Sequence, residues 1–168
     1  RALDDQFGHQ LQTRYATQDG LEEAVRNADL IIGSVLVPGA SAPKLVTEQM
    51  VQTMSEGTVL VDVAIDQGGC FETSRATTHD DPYFVLHDVV HYCVANMPGA
   101  VPKTSSAALN HATLPFVLAL AEQGVTGALN SDLHLRNGLA THQGQLTSKA
   151  VAEAHQLPFE RPKGLGFE

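Results

Sequence analysis

The sequence lacks tryptophan, has only two cysteines, and draws just 5% of its 168 residues from aromatics. Cys70 and Cys93 form no CxxC pair, and two cysteines cannot staple a small secreted scaffold. Basic residues are also scarce: ten Lys and Arg stand against nineteen Asp and Glu, for a net charge of −9. They are scattered and form no stripe, which argues against nucleic acid and anionic membrane surfaces as partners. No long hydrophobic run interrupts the chain. The longest apolar stretch, residues 114–121, contains Pro115 and is short for a bilayer span. Nothing reads as a signal peptide, so a cytoplasmic protein is expected. No G-x-S-x-G elbow occurs, and Cys70 lacks the local signature of a nucleophile. G-x-G-x-x-G is absent too, and with it the cradle that holds a dinucleotide pyrophosphate.

What is present is a 43% apolar content dominated by Ala, Val and Leu, enough to build a core. Residues 10–15 alternate like a short strand, and Asp19-Gly20-Leu21-Glu22 offers a capping box for a helix ending near Asn27. Residues 30–35 form a nearly continuous apolar run, the pattern of a buried parallel strand. Ser41 and Pro43 then suit the start of a helix carrying Leu45, Val46, Met50, Val51 and Met54. Residues 58–64, 83–86 and 92–95 read as further strands. Strands alternating with helices at this spacing imply an α/β doubly wound, Rossmann-like parallel sheet, of which this is the second half.

Beyond Met97-Pro98-Gly99 the pattern turns helical. Thr104 can cap a helix over 105–123, kinked by Pro115 and stopped by Gly124, with further helices expected near 129–136 and 147–155. No strand alternation is visible there. The expected domains are a partial nucleotide-binding domain over 1–102 and a helical part of another domain over 103–168. Prolines and glycines near the end suggest a loosely held tail. The chain opens at Arg1, without Met, inside what reads as a helix, so a fragment is expected.

In open α/β sheets ligands bind beyond the carboxyl ends of the strands. Val35-Leu36-Val37-Pro38-Gly39, Ala64-Ile65-Asp66-Gln67-Gly68-Gly69 and Val94-Ala95-Asn96-Met97-Pro98 occupy that position. Each begins apolar and ends small or polar, which suits a flat ligand such as nicotinamide or adenine. Asp66, followed by two glycines, can approach a ligand closely, or can bond its own turn. Asp62 lies within the strand and can point to either face. Asn96 can hold a carboxamide or structure its loop, and Arg75 can meet a ribose, a carboxylate or water. His87 and His91 are four apart but fall among strands and loop, and no metal site is expected.

The strings DLIIGSVLVPGASAPKLV, GTVLVDVAIDQGGCFETSR and HYCVANMPGAVPKTSSAALNHATLP, over residues 29–46, 57–75 and 91–115, resemble the L-alanine dehydrogenase family. The resemblance covers nearly the whole chain, Thr141-His142-Gln143-Gly144 included. It implies an NAD-dependent enzyme that reversibly converts L-alanine and water to pyruvate and ammonium, forms homohexamers and serves amino-acid catabolism. By the same resemblance Asp66 matches the catalytic aspartate. Val35, Leu36, Val63, Ala64, Ile65 and Asp66 match cofactor contacts, as do Arg75, Val94, Ala95, Asn96 and Met97. The family's catalytic histidine, its substrate-binding arginine and lysine and its glycine-rich loop fall outside this sequence, so the chain by itself is expected to be inactive. Helices after Lys103 are expected to belong to the substrate domain. The NAD-binding subunit of proton-translocating transhydrogenase shares the VPG-x-x-APKL loop but typically lacks the counterpart of Asp66, which favours the amino-acid dehydrogenase. A non-catalytic assembly piece, with an unpaired strand edge inviting association, is the alternative from another class.

Overall fold

The computed structural model describes residues 2–162 and 165. The expected placement of Arg1 in a helix, and of a loose tail beyond Pro162, lies outside the described residues except at Leu165. By contacts the chain divides into two units. The first comprises residues 1–35 and 42–95, and the second residues 36–41 and 96–168.

The first unit opens with α1 (Ala2–Phe7) and α2 (Gln18–Asn27), followed by β1 (Leu30–Gly33), α3 (Glu48–Val51) and β2 (Val59–Asp62). β3 (Tyr83–Leu86) and β4 (Val89–Tyr92) complete it. The four strands form one sheet in the order β1-β2-β4-β3. β1, β2 and β4 run parallel, with Gly33 opposite Asp62 and Val61 opposite Tyr92, while β3 pairs antiparallel on the outside of β4. This is the α/β, Rossmann-like parallel sheet the sequence implied, with an antiparallel strand at one margin. At the other margin β1 leaves Leu30 and Ile32 exposed.

The core is built by apolar positions from every part of this unit: Val25 of α2, Val46, Met50 and Val51 around α3, Leu60 of β2, Val89 of β4, and Phe71 from the loop after β2. Leu60 and Val89 are fully buried on the face of the sheet that meets this core, while alternate residues of β2 and β4 are only half-buried. Gly33 is required by close approach: a Cβ there would fall 2.7 Å from the Phe71 ring and nearer still to the Cys70 sulfur.

Several local expectations are corrected. Residues 12–17 are extended but belong to no sheet, since a strand without a ladder partner has nothing to hold it. α2 is capped by Thr17, whose Oγ1 accepts from Gly20 N at 3.2 Å, rather than by Asp19. The helix expected from Ser41 is confined to α3. Leu45 N bonds Cys70 O at 2.8 Å and Val46 bridges Phe71, so tertiary pairing keeps 41–46 extended, and Thr47 becomes the cap. The last strand is Val89–Tyr92 instead of 92–95, because His87 and Asp88 (φ 54° and 61°) close a two-residue hairpin with β3. Neither residue is the glycine or asparagine that advertises such a turn.

The second unit contains α4 (Pro102–Ser131), α5 (Leu133–Asn137), a hairpin of β5 (Thr141–His142) and β6 (Gln145–Leu146), and α6 (Lys149–His155). The hairpin corrects the expectation of no strand in this region. Its turn uses Gln143 and Gly144, both at positive φ. In α4 the interruption is at Gly124 (φ 68°, ψ 172°), not at Pro115, and the chain resumes helix through Ser131. α4 also corrects the reading of its apolar stretch as short. The span over Pro102–Ser131, although its backbone breaks at Gly124, is long and apolar enough to cross a membrane by length and composition. Alanines, serines and threonines between its leucines conceal this in a search for unbroken runs. Leu109, Leu114, Val117 and Leu118 on it are exposed.

Candidate functional site

The register of the parallel strands decides what meets at the sheet's carboxyl edge. Gly33 lies beside Asp62 and Val61 beside Tyr92. The segments that follow these residues therefore leave the sheet side by side. Val35, the turn Val63–Gln67 and Val94-Ala95 are thus brought together within the first unit. Leu36, Asn96 and Met97 continue two of these segments into the second unit.

The two aspartates that sequence reasoning left unresolved have opposite environments. Asp62 ends β2 and is fully buried, whereas Asp66 is exposed on the turn that follows. That turn is a 3-10 helix over Val63–Gln67, ended by Gly68 at φ 92°. Along it Val63 and Asp66 face outward, while Ala64 and Ile65 are buried and can meet a ligand only through their backbone. Val94 is likewise fully buried, and Val35 packs on the core. Leu36, Ala95 and Asn96 are exposed. Asn96 adopts a left-handed conformation (φ 54°, ψ 54°) that starts the 3-10 turn Met97–Ala100. It also lines a cavity of about 610 Å³ with Pro98, Gly99, Pro102, Ser105 and Leu109.

The buried carboxylate organises the loop after β2. Asp62 Oδ1 accepts from Ala64 N at 3.1 Å, capping the turn that carries Asp66. Oδ2 accepts from Cys70 N at 2.9 Å and Phe71 N at 3.4 Å, and from the Ser74 hydroxyl at 2.5 Å. A buried charge is tolerable only with such a full set of donors. Gly69 (φ 77°) permits the approach, since a Cβ there would fall 2.7 Å from Oδ2 and 2.9 Å from Ser74 Cβ. The Cys70 thiol also leans on Asp62, at 3.5 Å. Burial first, and then that neighbouring negative charge, push its pKa up to about 12, which leaves it a poor nucleophile. Burial raises the Cys93 thiol as well.

Arg75 follows Ser74 directly. Its guanidinium carbon sits 4.0 Å from the Phe84 ring centroid, a cation–π contact. Phe84 in turn stacks on His91 with centroids 4.7 Å apart. The loop is tied back to the end of β4: Thr77 N donates to Cys93 O at 2.9 Å and Ala95 N to Thr77 O at 3.1 Å. Arg75 is thereby held beside the Val94-Ala95 segment. His91 is fully buried and serves structure: its Nδ1–H donates to Val89 O at 3.0 Å, and its Nε2 accepts from the Thr73 hydroxyl at 2.8 Å. Desolvation, foremost, lowers its pKa and keeps the ring neutral. His87 instead lies 2.7 Å from Glu48 Oε1, so the two histidines face different partners.

The Asp62–Ser74 link and the Arg75–Phe84–His91 stack were not visible in the sequence. Their contacting partners lie 7 to 12 residues apart, and no local period connects them. The signal that could have pointed to Asp62 is a carboxylate inside an otherwise apolar strand, since such a group must find several donors.

Residues 1–149 match the family model described as "Alanine dehydrogenase/PNT, C-terminal domain". Among curated relatives, the chain is 59% identical over 159 residues to "Alanine dehydrogenase" of Mycolicibacterium smegmatis, covering 95% of this chain and 43% of the relative. It is 60% identical over 157 residues to the protein of the same name from Halomonas elongata, covering 94% of this chain and 42% of the relative. A solved structure titled "L-alanine dehydrogenase" superposes with a TM-score of 0.77 at 46% identity, over 92% of this chain and 43% of that one. A transhydrogenase structure from Sinorhizobium meliloti shares the fold, with a TM-score of 0.63 at 24% identity over 89% of this chain and 40% of that one. The chain therefore spans less than half the length of the relatives it matches.

Proposed function

The chain belongs to the alanine dehydrogenase/PNT C-terminal domain family, and on that premise we propose that it is the C-terminal part of an NAD-dependent L-alanine dehydrogenase. The single observation that carries this reading is the exposed carboxylate of Asp66 at the carboxyl edge of the parallel sheet, beside Val63 and within the loop system that also holds Arg75. Chemically the residues fit a nicotinamide nucleotide. An exposed apolar side chain at Val63 offers a surface for a flat ring, Asp66 offers acceptors for ribose hydroxyls, and Arg75 offers a fixed cation. When bound, NAD supplies the acceptor for the hydride that leaves the alanine Cα.

Asp66 then has two tasks. Its carboxylate stabilises positive charge as it builds on the substrate nitrogen, and its oxygens hold a proton of the attacking water. Ala64, Ile65 and Val94 contribute backbone groups and a dry floor, because their side chains are buried. Leu36, Asn96 and Met97 enter the proposal as cofactor contacts from the resemblance alone, Asn96 as a group able to recognise a carboxamide. The remaining catalytic groups, including a histidine, and the phosphate-binding loop belong in this reading to residues outside the sequence. L-alanine, pyruvate and ammonium are the proposed small-molecule partners, and a cytoplasmic homohexamer serving amino-acid catabolism is the proposed setting. The exposed apolar face of α4 is read as covered by protein rather than lipid.

The test is steady-state oxidation of L-alanine by the intact protein and its Asp66→Asn variant. Asp66→Asn keeps the size of the exposed side chain, circular dichroism and the melting temperature check its fold, and kcat falls by about two orders of magnitude or more, the scale of a lost proton-transfer group. Wild-type turnover in that variant would remove Asp66 from the chemistry and end the proposal.

A further inference from the structure

The buried carboxylate of Asp62 touches nothing that reacts, yet it is bonded to both halves of the proposed site. One oxygen caps the turn that carries Asp66, through Ala64 N. The other receives the hydroxyl of Ser74, the residue immediately before Arg75, together with the amides of Cys70 and Phe71. The ligands of this one side chain thus span the loop from Ala64 in its first turn to Ser74. Arg75 has a second hold on its far end, through the Phe84 ring at 4.0 Å. Phe84 is itself fixed against His91, at 4.7 Å.

Packing alone did not require a charge here. Beside Asp62 lie Gly33, its partner in the sheet, and Cys70 and Phe71 of the loop, all buried, and an apolar residue would fill that space but leave the amides of Ala64, Cys70 and Phe71 without this acceptor. What a carboxylate supplies instead is direction. It accepts from three amides, the Ser74 hydroxyl and the Cys70 thiol at once, which ties separate parts of the loop to one point.

We propose that Asp62 is a positioning residue, whose carboxylate clamps the loop over 63–75 so that Asp66 and Arg75 are presented together to the nicotinamide nucleotide. This rests on the reading of Asp66 and Arg75 given above. The Ser74 hydroxyl is the arm toward Arg75, and the Ala64 amide is the arm toward Asp66. Loss of the Ser74 arm therefore weakens cofactor binding more than turnover, and loss of the carboxylate weakens both.

The experiment compares Ser74→Ala, Asp62→Asn and Asp66→Asn in the intact protein. It reads NADH affinity by fluorescence titration, KM for NAD, kcat for L-alanine, and amide hydrogen exchange over 63–75 without ligand. In Ser74→Ala, the NADH Kd and the KM for NAD rise about tenfold, the scale of one hydrogen bond to a charged group, with a smaller change in kcat. Asp62→Asn turns one acceptor oxygen into a donor facing donors. Exchange at Ala64, Cys70 and Phe71 accelerates, and kcat falls about tenfold besides. If Asp62→Asn fails to fold, Ser74→Ala still decides the matter, because it leaves the amide ligands of Asp62 in place. A Ser74→Ala protein with wild-type Kd and KM overturns the proposal even if its melting temperature drops, since a merely structural clamp would move stability alone. Asp66→Asn separates the two ideas. If it abolishes turnover while Ser74→Ala is silent, only the clamp is wrong; if it is fully active, the site reading falls and the clamp with it.

Discussion

The two units handle their apolar residues in opposite ways. In the first, Leu60, Val89 and Val51 reach zero exposure, and even a carboxylate and a histidine are buried with their hydrogen bonds made. In the second, α4 is the longest helix, yet its leucines and valines before Gly124 stay exposed, with Leu109 at 66% and Val117 at 56%, and only Ala128 and Leu129 near its end are buried among its described residues. The first unit closes a core of its own, though Leu30 and Ile32 stay exposed at its β1 margin, whereas α4 presents an apolar surface that water does not favour. The difference locates what the sequence can complete alone. The loop around Asp62 is finished by residues within 42–95. The surface of α4 takes its meaning from whatever covers it, which the proposed reading assigns to the rest of the enzyme and its neighbours.

Paired truncations put this contrast to the test. Phe71→Ala removes a fully buried ring from the core beside Gly33 and Met50 and is expected to cost about 3–5 kcal/mol in the intact protein. Leu118→Ala on α4 is the informative partner. If α4 is covered in the intact protein, truncation costs about 2 kcal/mol or more, as for a core leucine; if it stays as exposed as here, the cost is below about 0.5 kcal/mol. Urea unfolding midpoints of the two variants decide between these. A Leu118→Ala value near zero would show that the contrast between the units persists in the whole molecule and would sink the reading of α4 as a protein-covered helix.

Legibility in the sequence followed the same division. Where an element depends on its own residues, the pattern was readable: parallel strands within 30–35 and 58–64, α2 by its period, and the carboxyl-edge loops by topology, although β1 lies at the sheet margin with Leu30 and Ile32 exposed rather than buried. Where a distant partner decides, the pattern misled. Ser41 and Pro43 offered a helix start, but the carbonyl of Cys70 held Leu45 and Val46 in an extended path. The His87-Asp88 turn has no glycine, so nothing local marked the hairpin that shifts the last strand. Within the site, position along the strand could not say which aspartate is buried, since that depends on which of them finds the amides of Cys70 and Phe71. The strings shared with alanine dehydrogenases pointed to these loops, but not to the inward direction of Ala64, Ile65 and Val94 within them.

The smallest effect expected concerns the histidine that closes the stack beneath Arg75. His91 is held as a neutral ring, with Nδ1–H bonded to Val89 O and Nε2 receiving the Thr73 hydroxyl. The charged groups facing it, His87 and Arg75, add their repulsion to the desolvation that lowers its pKa below the ordinary 6.5. Because the folded value is the lower one, the unfolded chain binds the proton first as pH falls. Stability is then complete above pH 6.5 and is lost progressively as pH drops below it toward the folded value. Protonation would also deprive Thr73 of its acceptor and set a second cation near Arg75. In urea titrations at pH 8 and pH 5, a His91→Asn variant should therefore start less stable but lose less on acidification than the wild type. Equal acid losses in the two proteins would mean that His91 carries no burial penalty for its charged form. The stack under Arg75 would then be held by packing alone.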